Sequence, residues 1–295
     1  MAETVISKEG THELGDGLKP STPPKAQILF LHGFSDHTTL YDTLASRLAS
    51  RGLLFHGFDQ RGYGRTSTAP SSLGDSGPTT QILTDVNSIL ITILNAHPEL
   101  PTFLVGHSMG GAIALTYAFQ GSYRNRLSGI AVWSPAIAIA SESQPSIITR
   151  SVGRVVAAIA PKKQLVHKLD FRFMSRDREV NKAFEKDPLC HDTGTLQCLM
   201  GIDERGRLLS DPEVVKRFAP VLRIWVAHGT RDKCCDYKAS REFVRQLEVE
   251  DKTFVKYDKW FHKLHAEPGE DKIKFADDLG DWLLARAQAA TGPKL

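Results

Sequence analysis

The sequence predicts an α/β fold: a mostly parallel central sheet with helices on both faces and an inserted cap. Three observations carry the prediction. From Ala26 onward, short apolar runs alternate with amphipathic stretches: AQILFLHG, YDTLASRLASRG, LLFHGFD, QILTDVNSILITILNAH, TFLVGHS, GGAIALTYAFQG and LSGIAVWSP. The runs are continuous rather than alternating, as expected of strands buried on both faces by crossover helices. The rhythm also stops after Pro135 and resumes at VLRIWVAHG, followed by a helix near Lys238 to Leu247, a strand TFVKYD and a last helix near Ile273 to Ala287. Residues 1–136 and 218–295 are therefore read as the core, and 137–217 as the cap.

The cap opens with PSIITRSVGRVVAAIAP, which sets Ile147, Ile148, Val152, Val155, Val156 and Ile159 on roughly one helical face. Two fates suit that face: packing on the core, or meeting a membrane or an acyl chain. Before the first core strand, KPSTPPKA reads as a stiff loop.

Composition narrows the function classes. With 295 residues, 41% hydrophobic and 24% charged, the chain can build an ordinary core. Its net charge of +3 comes from 37 basic and 34 acidic residues mixed along the chain, so no basic arm for nucleic acid stands out. The opening MAETVISKEG lacks an apolar core, and no run approaches the roughly 18 apolar residues of a spanning helix. The expectation is a cytoplasmic protein whose four cysteines, Cys190, Cys198, Cys234 and Cys235, remain reduced. Their spacing fits no zinc motif, so no metal is expected.

The strongest local signal is Gly106-His107-Ser108-Met109-Gly110, between the strand TFLV and the helix GGAIALTYAF. This is G-x-S-x-G in the strand-to-helix context of a nucleophile elbow, the mark of the α/β-hydrolase fold. The sharp turn strains the serine backbone and leaves room only for glycine on either side. A serine hydroxyl needs a base to take its proton and an acid to orient that base. In this fold the order is Ser, then Asp or Glu, then His. Asp232 follows the strand LRIWVAHG and is favoured over Asp236, because catalytic groups gather beyond strand carboxyl ends. Two histidines follow the next strand, His262 and His265, and spacing leaves both open as the base. Oxyanion donors are expected from the backbone amides of Met109 and Phe34. His32 and His37 read as braces of the loop that carries Phe34. Asp59-Gln60-Arg61-Gly62-Tyr63-Gly64 reads as a structural turn: it lacks G-x-G-x-x-G, and no G-x-x-x-x-G-K-[ST] loop occurs, so no nucleotide cofactor is implied.

In order, LHGFSDH, DQRGYGRTS, VGHSMGGAIAL, SRDREVNKAFEKDPLCHDTGTL, AHGTRDKCCD and YDKWFHKLHAEP resemble the monoacylglycerol lipase family, particularly its fungal-like members. The resemblance runs from about Ala26 to the C-terminus and includes the cap. It implies Ser108, Asp232 and His265 as the triad, the last histidine of H-K-L-H being matched to the base, with Phe34 and Met109 as oxyanion donors. It also implies that Cys235 lies close to the active site. The implied reaction is hydrolysis of a monoacylglycerol, or a related lipid ester, to glycerol and fatty acid, without a cofactor. The cap would form an apolar tunnel, and contact with a membrane or lipid-droplet surface would fit its apolar face. A broader carboxylesterase or lysophospholipase with the same triad, and a noncatalytic binding protein on the same fold, are the alternatives. The chain departs from the family at two places. EGTHELGDGLKPSTPP is shorter than the usual opening β-hairpin, and Leu40 and Phe184 stand where some members carry polar groups near the glycerol end.

Overall fold

In the computed structural model the described residues are 23–67, 69–144 and 156–291, together with the backbones of two short strands near the N-terminus. Those strands, β1 (Thr4–Ser7) and β2 (Gly10–Glu13), pair antiparallel, so the shortened opening segment still closes a hairpin.

Six strands form the central sheet: β3 (Ala26–Leu31), β4 (Leu53–Gly57), β5 (Thr102–His107), β6 (Gly129–Trp133), β9 (Arg223–Gly229) and β10 (Asp251–Tyr257). Their spatial order is β10-β9-β6-β5-β3-β4, and every pairing is parallel. The α/β-hydrolase expectation is met. Five helices join or follow these strands: α1 (Asp42–Ser50), α2 (Thr79–Ala96), α3 (Met109–Gln120), α7 (Tyr237–Gln246) and α8 (Asp271–Thr291).

Alternation along each strand divides the core in two. Ile28, Phe30, Phe103, Val105, Ala131, Trp133 and Trp225 pack with Leu44 and Leu48 of α1 and Phe275, Leu279 and Leu283 of α8. Leu29, Leu31, Leu104, Ile130, Val132, Ile224 and Val226 face the other way, onto α2, α3 and α7. Helix α3 is buried along almost its whole length, which explains why its sequence is apolar on every side.

Between β6 and β9 the chain leaves the sheet. There β7 (Gln164–Val166) and β8 (Thr193–Thr195) pair antiparallel, and α4 (Arg178–Lys186), α5 (Leu196–Ser210) and α6 (Pro212–Val215) are capped by Asp177, Thr195 and Asp211. Of the predicted amphipathic face only Val156 and Ile159 lie within the described residues, where 156–159 are helical and Ile159 is 80% exposed; Ile147, Ile148, Val152 and Val155 lie outside them. Among the described residues no helix is long and apolar enough to cross a membrane.

The chain runs from β3 outward to β4, then crosses back to β5, so the strand order reverses between β3 and β5. Such a switch point opens a crevice at the strand carboxyl ends, where Phe34 and Ser108 both lie. Since α3 anchors that crevice, Ile113→Ala, at a fully buried position, is expected to cost about 2–5 kcal/mol in urea unfolding.

Candidate active site

Ser108 occupies the turn between β5 and α3 with φ 52° and ψ −116°, a strained conformation for a non-glycine residue. The turn is held by close approach on both sides. A Cβ on Gly106 would come within 2.4 Å of the Gly110 carbonyl, and one on Gly110 within 2.2 Å of the Leu31 carbonyl on β3. The Ser108 amide donates to Trp133 O at 3.1 Å, and Ser108 O accepts from the amides of Ala112 and Ala136.

His262, not His265, reaches the serine. His262 Nε2 lies 3.0 Å from Ser108 Oγ, and its Nδ1 lies 2.7 Å from Asp232 Oδ2. The His262 carbonyl is tied down by the Ser134 hydroxyl at 2.9 Å, with His107 Nε2 at 3.3 Å. Three residues later, a short 3-10 turn at Leu264–Ala266 carries His265 into the core. Its ring stacks on Tyr41 at 4.2 Å, and its Nδ1 accepts from Trp133 Nε1 at 3.3 Å. The expectation for His265 is therefore corrected: a 4% exposed imidazole held by aromatic neighbours cannot swing to Ser108 without opening the core. Burial pushes its pKa well below the usual imidazole value, so the ring stays neutral.

Asp232 is surrounded by donors. Its Oδ1 accepts from the amides of Cys234 at 2.7 Å and Cys235 at 2.9 Å, while His228 Nε2 stands 3.0 Å from Oδ2. Burial alone would raise this carboxyl, but the His262 charge and the contacts with His228 and His262 outweigh it and hold the group well below the ordinary carboxylate range. Asp236, the rival acid, is instead the N-cap of α7, accepting from Lys238 N at 2.6 Å.

Phe34 and Met109 line the same cavity as Ser108, and a Cβ on Gly33 would lie 3.3 Å from Ser108 Cβ, so the loop after β3 presses against the nucleophile. His32 braces that loop as expected: Nδ1 donates to Gly33 O and Nε2 accepts from Gln60 N, both at 2.8 Å. His37 does so through Asp187 at 2.9 Å. Gly62 and Gly64 have positive φ within the Asp59–Gly64 turn, as expected of a structural turn.

The cavity holds about 520 Å³ and is walled by apolar side chains of the β6–β9 connection, among them Leu165, Val166, Leu199, Met200 and Ile202. Asp36 and Lys263 also line it, as a buried ion pair at 2.5 Å that also takes the Tyr41 hydroxyl onto Asp36. Burial raises the Asp36 carboxyl, but the Lys263 cation pulls it further the other way, to well below the usual range. Phe184 lines the cavity too, with the Lys263 ammonium 4.3 Å from its ring. Sequence reasoning missed both Lys263 and His228: Lys263 is revealed by Asp36 in the loop after β3, and His228 by Asp232, Cys235 and Ser240 in the loop and helix that follow β9.

Cys235 Sγ is 3.9 Å from Ser108 Oγ, and burial with the Asp232 charge pushes its thiol well up, so it is protonated. All four cysteines are unpaired. Among the described residues, two groups of side chains bring metal-type donors within 4.8 Å of one another: His37, Asp187 and Cys190, and Asp232, Cys234 and His262. In both, the histidine and carboxylate already satisfy each other, and the second group belongs to the site just described.

The family described as Serine aminopeptidase, S33, matches residues 22–269. The chain belongs to that family. It is 29% identical to the monoglyceride lipase of Mus musculus over 97% of this chain and 91% of the mouse protein. It is also 29% identical to the monoacylglycerol lipase of Mycolicibacterium smegmatis, over 94% of both chains. A crystal structure of a soluble variant of monoglyceride lipase from Saccharomyces cerevisiae superposes with a TM-score of 0.90 at 24% identity, over 97% of this chain and 95% of that one. The resemblance read from the motifs is borne out by these relatives, and the yeast structure establishes the shared fold.

For this S33-family chain the two histidines separate cleanly by experiment. A fluorophosphonate probe is expected to label Ser108 in the wild type and in His265→Phe, and to lose nearly all labelling in His262→Ala. His265→Phe also has a pH signature. A histidine kept neutral by folding gives stability that is complete above its unfolded pKa of about 6.5 and is lost as pH falls below it. The variant should therefore lose stability less steeply below about pH 6.5, as read by denaturant midpoints across pH.

Proposed function

We propose that this chain is a serine carboxylic-ester hydrolase that cleaves monoacylglycerols to glycerol and free fatty acid. The observation that carries the reading is the unbroken contact from Asp232 through His262 to Ser108 Oγ, opening into a large, mostly apolar cavity. The names of the mouse and mycobacterial relatives supply the substrate class.

The geometry supports a two-step reaction. His262 Nε2 takes the Ser108 proton as Oγ attacks the ester carbonyl, and Asp232 stabilises the imidazolium and keeps Nδ1 protonated. The Met109 and Phe34 amides are our oxyanion donors, and Met109 N at the start of α3 adds the favourable end of a helix dipole. His262 then returns the proton to the departing glycerol, and water, activated by the same imidazole, releases the fatty acid. Segment 137–217 acts as the cap: its apolar residues wall the space for the acyl chain. No step calls for a cofactor.

We further propose a cytoplasmic location and peripheral contact with a membrane or lipid-droplet surface. Supporting it, Ile159 is 80% exposed and Val166, on the cavity wall, is 64% exposed. Ile159→Glu should reduce cosedimentation with phosphatidylcholine vesicles while leaving turnover of a soluble short-chain ester unchanged. Equal cosedimentation of both proteins would remove this extension.

The central test is release of glycerol and fatty acid from monooleoylglycerol by the purified protein. Ser108→Ala should lower turnover about 10⁴-fold or more. Dioleoylglycerol and lysophosphatidylcholine should turn over much more slowly. Serine-dependent cleavage of all three lipids alike would point to a broader carboxylesterase or lysophospholipase, and absent labelling of wild-type Ser108 by the fluorophosphonate would point to a binding protein.

A further inference from the structure

His228 is the sixth residue of β9 and is completely buried. Its Nδ1 is 2.9 Å from the Ser240 hydroxyl on α7. Its Nε2 is 3.2 Å from the Cys235 carbonyl and 3.0 Å from Asp232 Oδ2. Both neighbours of Nε2 are acceptors with no proton to give. A lone pair at Nε2 would face two negative oxygens, so the proton sits on Nε2 and Nδ1 accepts from Ser240. The N–H is aimed at the Cys235 carbonyl, with its positive hydrogen beside the Asp232 carboxylate.

Asp232 Oδ2 thus serves two imidazoles, since His262 Nδ1 stands 2.7 Å from the same atom. We propose that His228 is a positioning residue for hydrolysis, whose Nε2–H fixes the rotation of the Asp232 carboxylate and shares the negative charge that would otherwise act on His262 alone. The proposal rests on the triad reading above. Without His228 the carboxylate can rotate, and His262 feels more of its charge. The imidazolium is then favoured, and the base is lost at a higher pH than in the wild type.

Other titratable groups facing this cluster are His107, with its ring 4.8 Å from His262, the Asp36–Lys263 pair, Cys234, Cys235, Asp236 and Tyr237. His107 is pushed by burial down to about 3 and is neutral, Asp36 and Lys263 neutralise each other, and burial holds both thiols protonated.

The test compares His228→Leu, His228→Gln and Ser240→Ala in two assays: the rate of fluorophosphonate reaction at Ser108, and the pH profile of kcat/KM on p-nitrophenyl butyrate. His228→Leu should lose about 10- to 100-fold in kcat with KM little changed, and its acidic limb should move to higher pH. His228→Gln, which keeps an N–H donor, should recover most of the rate and the profile. Ser240→Ala, which leaves the ring in place but frees its tautomer, should fall between. Thermal melts identify the folded variants.

A folded Leu variant with the wild-type rate and profile overturns the proposal, as does a Gln variant as slow as Leu with an unmoved acidic limb. Should the Leu variant not fold, an unmoved acidic limb in Ser240→Ala overturns it. Failure of the wild type to react with the probe would sink the triad reading itself, which keeps the two failures apart.

Discussion

The close approach of the β5–α3 turn to β3 is the constraint on which the rest of the structure depends. Gly110 sits so near the Leu31 carbonyl that any side chain would push α3 off the sheet, and Gly106 is packed as tightly against Gly110. That contact keeps Ser108 at a positive φ, a conformation that a side chain adopts only when its surroundings enforce it. It also brings the Gly33–Phe34 loop against the nucleophile, because the loop continues the same strand that Gly110 touches. One backbone contact thereby positions the nucleophile and the two segments that carry the oxyanion donors of our reading.

Beneath the serine lies a layer of polar and aromatic side chains that fixes His262 from behind. Trp133 stacks on His107 at 5.3 Å and donates to His265, while the Tyr41 hydroxyl lies 2.7 Å from His107 Nδ1. Ser134 and His107 both approach the His262 carbonyl. His262 is therefore positioned through its backbone as much as through its ring, which suits a residue on a loop that has no secondary structure of its own to stiffen it. Burial keeps His107 and His265 neutral, so neither ring adds a positive charge beside His262.

What could be read from the sequence follows from where each signal is local. Strands such as AQILFL and TFLVGH are apolar runs because both faces are covered, so the sheet and its order of elements were visible. The elbow was visible because its glycines answer to contacts within a few residues and one neighbouring strand. The choice between His262 and His265 was not, because it is made by Tyr41 and Trp133, which are remote in sequence and receive one ring into the core. Matching the last histidine of H-K-L-H to the base selected the ring that the structure buries away from Ser108. His228 was hidden for a different reason: its partners, Ser240 and Cys235, are near in sequence but lie in a helix and a loop whose fold back onto β9 has no periodic signal. The β7–β8 ribbon escaped notice because strands of three residues leave no periodicity to detect.

The two parts of the chain answer to different physical demands. The groups that move protons in our proposal stand on strand ends and their first loops, where the sheet's packing leaves little freedom: Ser108 after β5, Asp232 after β9, His262 after β10. Most of the apolar wall comes from the β6–β9 connection, where capped helices and a three-residue ribbon are held by fewer strand pairings. Rigid placement matters far more for proton transfer than for holding a flexible acyl chain. The reaction class therefore belongs to the sheet and the choice of ester to the connection, together with the few core residues, Asp36 and Lys263 among them, that reach into the cavity. Placing a buried ion pair in that cavity brings little net stability, since desolvating both charges offsets most of their attraction. Its effect is felt instead by whatever occupies the space beside the serine.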